Sequence, residues 1–323
     1  NSFYRIQGVD IHSNPGSVTV QQKLSLDSGA TIDALCRVSL AVSDGAKLWF
    51  SYTSGKIWRE SGGTYTLVYT TAPAAGNAGC LGAEEYNGFI YWATQSRLFR
   101  TAVTDTTFAS VATNWQTFSK TDSEFHPMVK QNATLFIGDG NLVASVNSSA
   151  TFTASALDLE EPARIKTMKP FDIDLVIGTI IATSVNHCEV IRWDTVQTTW
   201  QYSETVMENG INAILWTGTV LLAQAGTMGN WYFYDGVKLQ PYKRIPGTWS
   251  PTSYGEVLPN SVGVLLNIPI FGFSNGSGNP ADQGIYSFGN YSKDYQRVLS
   301  GPDFIISQDK VATITIGAII VDG

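Results

Sequence analysis

Six carboxylates are the first residues in this chain with the makings of chemistry: Glu84, Glu85, Asp139, Asp172, Asp174 and Asp282. Gathered at one mouth of a central channel, two of them at a defined separation would supply the proton donor and second carboxylate that glycoside cleavage needs. Their local settings argue for a simpler use. Asp139 stands in Gly138-Asp139-Gly140-Asn141, a hairpin turn that accounts for an Asp by itself, and Asp172 and Asp174 flank Ile173 in a second turn. Ser43-Asp44-Gly45 followed by Trp49 lacks the offsets of a sialidase Asp-box. The expectation is a chain that is not an enzyme and has no catalytic residues.

Metal and cofactor chemistry is not expected either. His12, His126 and His187 are far apart and cannot form the paired ligands of one helical turn, so they read as turn or packing residues. Cys36, Cys80 and Cys188 show no CxxC spacing and each lies near an apolar segment, which predicts buried free thiols. Residues 274–284 (SNGSGNPADQG) offer Asn275, Asn279 and Asp282 as oxygen donors, but a single carboxylate is a weak attractor for calcium.

Binding is a better match for such residues. A loop of that length exceeds the usual two to five residues of a hairpin, and loops of this kind often carry recognition. A second long connection, residues 102–124, places Phe108, Trp115 and Phe118 among Thr, Ser and Asn, and reads as an outer strand plus an extended loop. The candidate interaction residues are therefore Asn275, Asn279, Asp282 and Trp115. Trp115, Trp200, Trp231 and Trp249 could stack on sugars, although packing between sheets is the simpler use of an aromatic within a strand.

The elements that must position these residues repeat along the chain. In residues 218–246 an apolar strand (Val220-Leu221-Leu222-Ala223) leads through a Gly-rich turn to an aromatic strand (Trp231-Tyr232-Phe233-Tyr234). An Asp235-Gly236 turn and a more polar outer strand follow. Asp-Gly between two strand-like runs predicts a hairpin with a type I′ turn. Anchored on Ile57, Leu98, Leu142, Ile191, Tyr232 and Ile285, the unit recurs at intervals of 41, 44, 49, 41 and 53 residues. Repeats of that length with about four strands each are the mark of propeller blades. The first strand of each unit, at residues 37–42, 81–86, 128–130, 165–169, 211–216 and 262–266, reads as weaker and more buried, as an innermost strand would be.

The termini complete the pattern. Residues 4–11 and 17–20 read as two strands without earlier partners, and residues 310–321 (KVATITIGAIIV) form a β-branched run with no finished unit after it. Pairing the two ends in one sheet removes two exposed edges. The predicted fold is thus all-β, a single β-propeller over residues 1–323, with 1–26 and 305–323 forming a composite closing blade. Seven blades result from six internal units plus this one. Six or eight are the alternatives, because the 53-residue interval has room for an insertion.

Composition agrees and excludes some partners. Only 15% of residues are charged, 43% are hydrophobic, and the formal net charge is −7. Lys and Arg are dispersed, so no basic surface for nucleic acid is expected. No apolar run reaches the ~18 residues of a spanning helix, so no membrane insertion is expected. The chain opens on Asn1 without Met and without the regions of a signal peptide, which suggests a processed or partial product.

Several blocks resemble a known group of proteins. GVDIHSNPG (8–16), EFHPM (124–128), FIGDGN (136–141), ENGINAIL (208–215), QAGTMGNWYFYDG (224–236), YKRIPG (242–247) and FGFSNGSGNPADQGIYSFG (271–289) look like predicted structural proteins of tailed bacteriophages. The resemblance implies a virion component of the tail or neck, present in several symmetric copies and partnered by other virion proteins. Such proteins also occur with further domains, which leaves room for one beyond residue 323. The resemblance assigns no functional residue. Its alternatives are a module that recognises a host-surface glycan through the 274–284 loop and, less favoured, a polysaccharide-degrading propeller.

Overall fold

The structure is a computed structural model. It describes residues 9–10, 18–20, 32, 36–71, 79–111, 114–121, 124–181, 187–218, 220–226, 230–244, 256–265, 268–274, 284–288, 295–300 and 313–314. Every regular element among them is a β-strand. Near the N-terminus lie β1 (Val9–Asp10) and β2 (Val18–Val20). Six four-stranded antiparallel meanders then follow in chain order.

The first sheet holds β3 (Cys36–Ala41), β4 (Lys47–Ser51), β5 (Lys56–Ser61) and β6 (Thr64–Thr70). The second holds β7 (Gly82–Tyr86), β8 (Phe89–Ala93), β9 (Arg97–Ala102) and the short β10 (Gln116–Thr117). β11 (Met128–Gln131), β12 (Thr134–Asp139), β13 (Leu142–Asn147) and β14 (Phe152–Asp158) make the third. In the fourth are β15 (Ala163–Phe171), β16 (Asp174–Ile181), β17 (Cys188–Trp193) and β18 (Tyr202–Val206). The fifth consists of β19 (Ile211–Trp216), β20 (Leu221–Ala225), β21 (Asn230–Tyr234) and β22 (Leu239–Arg244). The sixth consists of β23 (Glu256–Leu265), β24 (Ile268–Ser274), β25 (Gly284–Phe288) and β26 (Tyr295–Ser300). Finally, β27 (Thr313–Ile314) pairs antiparallel with β2, Val18 opposite Ile314, giving a three-stranded sheet β1-β2-β27.

The residues that set the repeat interval, Ile57, Leu98, Leu142, Ile191, Tyr232 and Ile285, each fall in the third strand of a sheet. First strands of successive sheets adjoin in chain order, β3 with β7, then β11, β15, β19 and β23. β15 also reaches β23, two sheets on, so the row curves. The arrangement is propeller-like.

Cores lie between sheets, because alternate residues of a strand face opposite sides. In β8, Ile90 and Trp92 join Leu48, Phe50 and Ile57 between the first two sheets, while Tyr91 and Ala93 join Leu135 and Ile137 between the second and third. In β12, Phe136 turns the other way, toward Ile177 and Trp193. In β16, Val176 leaves that cluster for Ile214, Leu221 and Tyr234 of the fifth sheet. Both faces of a middle sheet are therefore buried, which is why the second and third strands read as nearly continuous apolar runs. Burying each such Phe or Ile contributes about 1.5–3 kcal/mol.

Three local expectations need correction. The Asp235-Gly236 turn is not type I′: only Gly236 has positive φ (+104°), and the Asp235 carboxylate accepts from the backbone N–H of Val237 (2.9 Å) and Lys238 (2.8 Å). That Asx cap stabilises a four-residue loop. Paired positive φ occurs at Asn87-Gly88 (+49°, +77°) and Asn132-Ala133 (+48°, +55°), between first and second strands, and at Gly62-Gly63 (+57°, +80°), between the third and fourth strands of the first sheet. Second, β15 and β23 run longer than the first strands read at 165–169 and 262–266, because ladder pairing extends through the flanking residues. Third, first strands are not uniformly the more buried ones: β11 exposes Lys130, which bridges to Glu84 of β7 (3.1 Å), and in β15 the buried Lys166 donates to Asn212 Oδ1 (2.8 Å).

Candidate docking face

In a four-stranded meander the turns joining first to second and third to fourth strands lie at one end of the sheet. Hydrogen bonds between sheets show that these ends line up. Asn87 Nδ2 in the second sheet donates to Ser148 O in the third (2.7 Å). Asn132 Nδ2 in the third donates to Ile173 O (2.8 Å) and Thr195 Oγ1 (3.2 Å) in the fourth, and Arg192 in the fourth donates to Gly236 O in the fifth (3.2 Å).

This turn end carries an apolar surface. Nine large apolar side chains are exposed among the described residues, and six of them, Ile173, Val196, Tyr202, Trp216, Val237 and Val264, sit at or beside these turns in the fourth to sixth sheets. Val196 and Ile173 are 84% and 65% exposed, far from the burial such residues ordinarily seek. Phe171 ties the patch together. Its ring lies 6.0 Å from that of Trp216, and the Arg192 guanidinium lies 5.4 Å from Phe171 and 5.9 Å from Tyr202.

Local geometry explains why the apolar tips stand out. Val196 and Val237 each follow an Asp by two residues, and each Asp, Asp194 or Asp235, accepts from the backbone N–H of that valine (2.9 Å in both loops). The cap fixes the loop with the valine outward. The amides of Gln197 and Val196 hold the Asp194 carboxyl below its usual range, and those of Lys238 and Val237 do the same for Asp235. With exposed Asp172, these two carboxylates rim the patch, against Lys238. Arg192 is already committed to Asp174 (2.5 Å).

Of the carboxylates singled out as a channel-mouth set, the five that are described do not gather at one point. Glu84 pairs with Lys130, and Glu85 accepts from the Ser43 amide (2.6 Å). Asp139 is buried at the opposite end of its sheet from the Asp172 turn and accepts from the amides of Ser119 (2.9 Å) and Lys120 (3.2 Å). Asp282, with Asn275 and Asn279, lies outside the described residues, as do His12 and Trp249.

Trp115 is half-buried between the second and third sheets, 5.5 Å from Tyr91 and 6.1 Å from Phe152, with the Arg100 guanidinium 4.2 Å from its ring. Phe108 and Phe118 of the same connection are buried. Asp105 holds this connection, accepting from Ser110 Oγ (2.5 Å), Ser110 N (2.9 Å), Ala109 N (3.2 Å) and Thr101 Oγ1 (3.1 Å). Trp231 is 1% exposed and packs on Phe271 (4.9 Å), so it presents no open ring.

Fully buried His126 stacks on Phe118 (4.1 Å) with Nδ1 2.7 Å from Gly138 O, and desolvation lowers its pKa despite that carbonyl and Asp139. Cys80 and Cys188 are buried free thiols whose burial pushes the pKa to about 12, while Cys36 is half-buried. Among the described residues no group of three or more His, Cys, Asp or Glu is placed to hold a metal ion. The apolar patch escaped sequence reasoning because its residues come from separate turns; the D-x-V wording shared by Asp194–Val196 and Asp235–Val237 was its one visible signal.

No family model matches the chain, and no curated protein matches it. Solved structures do. The extracellular domain of a hybrid two component system from B. thetaiotaomicron superposes with a TM-score of 0.58 at 14% identity, covering 86% of this chain and 34% of that one. An extracellular domain described as part of a one component system from the same organism gives 0.57 at 14% identity with the same coverage. The chain thus spans about a third of the length of these two solved chains. At such identity the likeness shows the fold alone. The computationally designed Ika8 protein follows at 10% identity and a TM-score of 0.47, covering 80% of this chain and 85% of that one.

Proposed function

We propose that the chain is a seven-bladed propeller acting as a rigid docking module, which binds another protein through the turn face of its fourth to sixth sheets. The observation that carries this reading is the gathering of Ile173, Val196, Tyr202, Trp216, Val237 and Val264 on that face. Contiguous exposed apolar surface with a polar rim marks interaction sites, and a partly exposed Trp is a favoured anchor. Antiparallel pairing of β2 with β27 supports a closing seventh blade made from both termini.

The partner's chemistry follows from the rim. Asp172, Asp194 and Asp235 ask for an apolar surface edged with Lys or Arg. A second copy docked face to face would set these carboxylates against their own equivalents, so the occupant is a different protein. The resemblance of the sequence blocks to tailed-phage structural proteins favours another tail or neck protein as that partner, with the chain in the virion in several symmetric copies. The reading assigns no catalytic step and no cofactor.

A near-atomic map of tailed-phage particles carrying this chain tests the proposal. The expected result is a second virion protein covering the turns around Val196 and Trp216. Val196→Asp should leave the isolated chain's stability within about 0.5 kcal/mol, as exposed positions do, while lowering its incorporation into particles. A turn face open to solvent in the map, or particles that lack the chain, would overturn it.

A further inference from the structure

We infer that a separate site lies at the outer rim between the third and fourth sheets, an open cleft that takes one ring of a neutral sugar. It is lined by Asp158, Glu160, Thr198, Thr199 and Trp200 and encloses about 330 Å3. That volume is at the low end of small-molecule sites, enough for one ring-sized ligand. The inference uses none of the exposed apolar side chains of the turn face, although Thr198, Thr199 and Trp200 belong to the same β17–β18 connection as Val196.

The cleft has a floor and a fixed polar edge. Trp200 is half-buried and packs on the cluster that contains Leu157, Leu159 and Trp193, so one face of the indole is held by the core. Asp158, at the end of β14, accepts through Oδ1 from Asn141 Nδ2 (2.6 Å) and from the Glu160 amide (2.8 Å). Its orientation is thereby set, with Oδ2 left for a ligand. Glu160 has φ +64°, a conformation an L-residue holds only when its surroundings enforce it. Here the Leu159 amide donates to Asn141 O (3.0 Å) and the Ala163 amide to Glu160 O (3.2 Å) on either side.

These groups match a pyranose. An aromatic ring offers an apolar surface to the C–H face of the sugar, two carboxylates accept from neighbouring hydroxyls, and the two Thr hydroxyls both donate and accept. The surrounding charges are already committed, since Glu161 bridges Lys120 (2.8 Å) and Arg164. The cleft therefore presents its own two carboxylates unopposed and disfavours acidic sugars. An open cleft with few contacts implies a dissociation constant on the order of 1 mM.

Saturation-transfer NMR on the whole chain with methyl β-D-glucopyranoside, methyl β-D-galactopyranoside and methyl N-acetyl-β-D-glucosaminide tests this, with methyl β-D-glucuronide as the acidic control. Expected is transfer to the ring C–H protons of at least one neutral glycoside and at least tenfold weaker binding of the glucuronide. Trp200→Ala should abolish the transfer. Because Trp200 also packs on the core, Glu160→Gln at an exposed position is the second variant, expected to weaken binding about tenfold with an unchanged melting temperature. No transfer from any neutral glycoside overturns the inference, as does transfer that Glu160→Gln and Trp200→Ala both leave intact. A rise in melting temperature with calcium chloride that Glu160→Gln removes, without any sugar response, would assign the cleft to a cation instead.

Discussion

At Gly82 the second sheet lies close against the chain leading into the third, and replacing it by Ala is a sharp test of how they pack. It opens β7, and the His126 amide donates to Leu81 O (3.1 Å) beside it, pinning the segment that leads into the third sheet against the second. A Cβ on Gly82 would lie 1.9 Å from His126 O and 2.9 Å from His126 C, both backbone atoms that no rotamer change can move. Relief requires the sheets to separate by more than 1 Å at that point, and overpacking of this kind typically costs about 1–3 kcal/mol. The upper end applies here because the buried stack of His126 on Phe118 would move too. With an unfolding entropy of ~2.1 cal/mol/K per residue, a 323-residue chain loses about 4–5 °C of melting temperature for a 3 kcal/mol loss. Gly88→Ala is the control. Gly88 has φ +77° with nothing within 4 Å, so only backbone strain of about 1 kcal/mol applies, a shift of about 1–2 °C. Calorimetry on both variants decides. If Gly82→Ala melts within about 1 °C of the parent, or no lower than Gly88→Ala, the close approach is not what Gly82 is there for.

Other outcomes follow from the buried and capped groups. Cys80 and Cys188, with thiols pushed to about 12, should not react with Ellman's reagent at pH 8 in the folded chain and should react on denaturation; rapid native reaction at either would contradict their burial. His126 has a folded pKa below its unfolded value, so the stability it confers is present above about pH 6.5 and is lost as pH falls. Its imidazole should stay neutral by NMR at pH 6.5, and titration above that value would refute the burial argument. Burial raises the Asp105 carboxyl, but the hydroxyl and amide of Ser110, the Ala109 amide and the Thr101 hydroxyl outweigh it and leave the pKa lowered. The stability gap between parent and Asp105→Asn should therefore hold from pH 7 to about 5 and narrow as pH falls below about 4; a gap that widens in acid would reverse the assignment.

The turn-end alignment has a mechanical consequence for docking. Asn132 reaches from the third sheet to the turns at Ile173 and Thr195, and Arg192 from the fourth to the turn at Gly236, so the loops that carry Ile173, Val196 and Val237 are each held by the preceding sheet. Little ordering entropy remains to be lost when a partner covers them, which favours affinity for a given contact area.

The strands and their repeat were legible in the sequence because their causes are local. Alternating apolar residues and Gly or Asx turns specify a meander wherever they occur, so the third-strand anchors from Ile57 to Ile285 could be counted without coordinates. The turn at Asp235 shows the limit of that reading: Asp-Gly predicted a two-residue turn, and a side-chain cap on Val237 and Lys238 produced a longer loop. Exposure and partnership were decided only in three dimensions. Trp216 and Trp231 belong to the same sheet and read alike in sequence, yet one is 44% exposed and the other 1%, because Phe271 of the sixth sheet covers Trp231 and the described residues leave the turn at Trp216 open. The docking face and the rim cleft are both assembled from segments that only the stacking of sheets brings together. A strand's own residues determine that it pairs and turns; the neighbouring sheet determines which of its side chains are left to meet anything else.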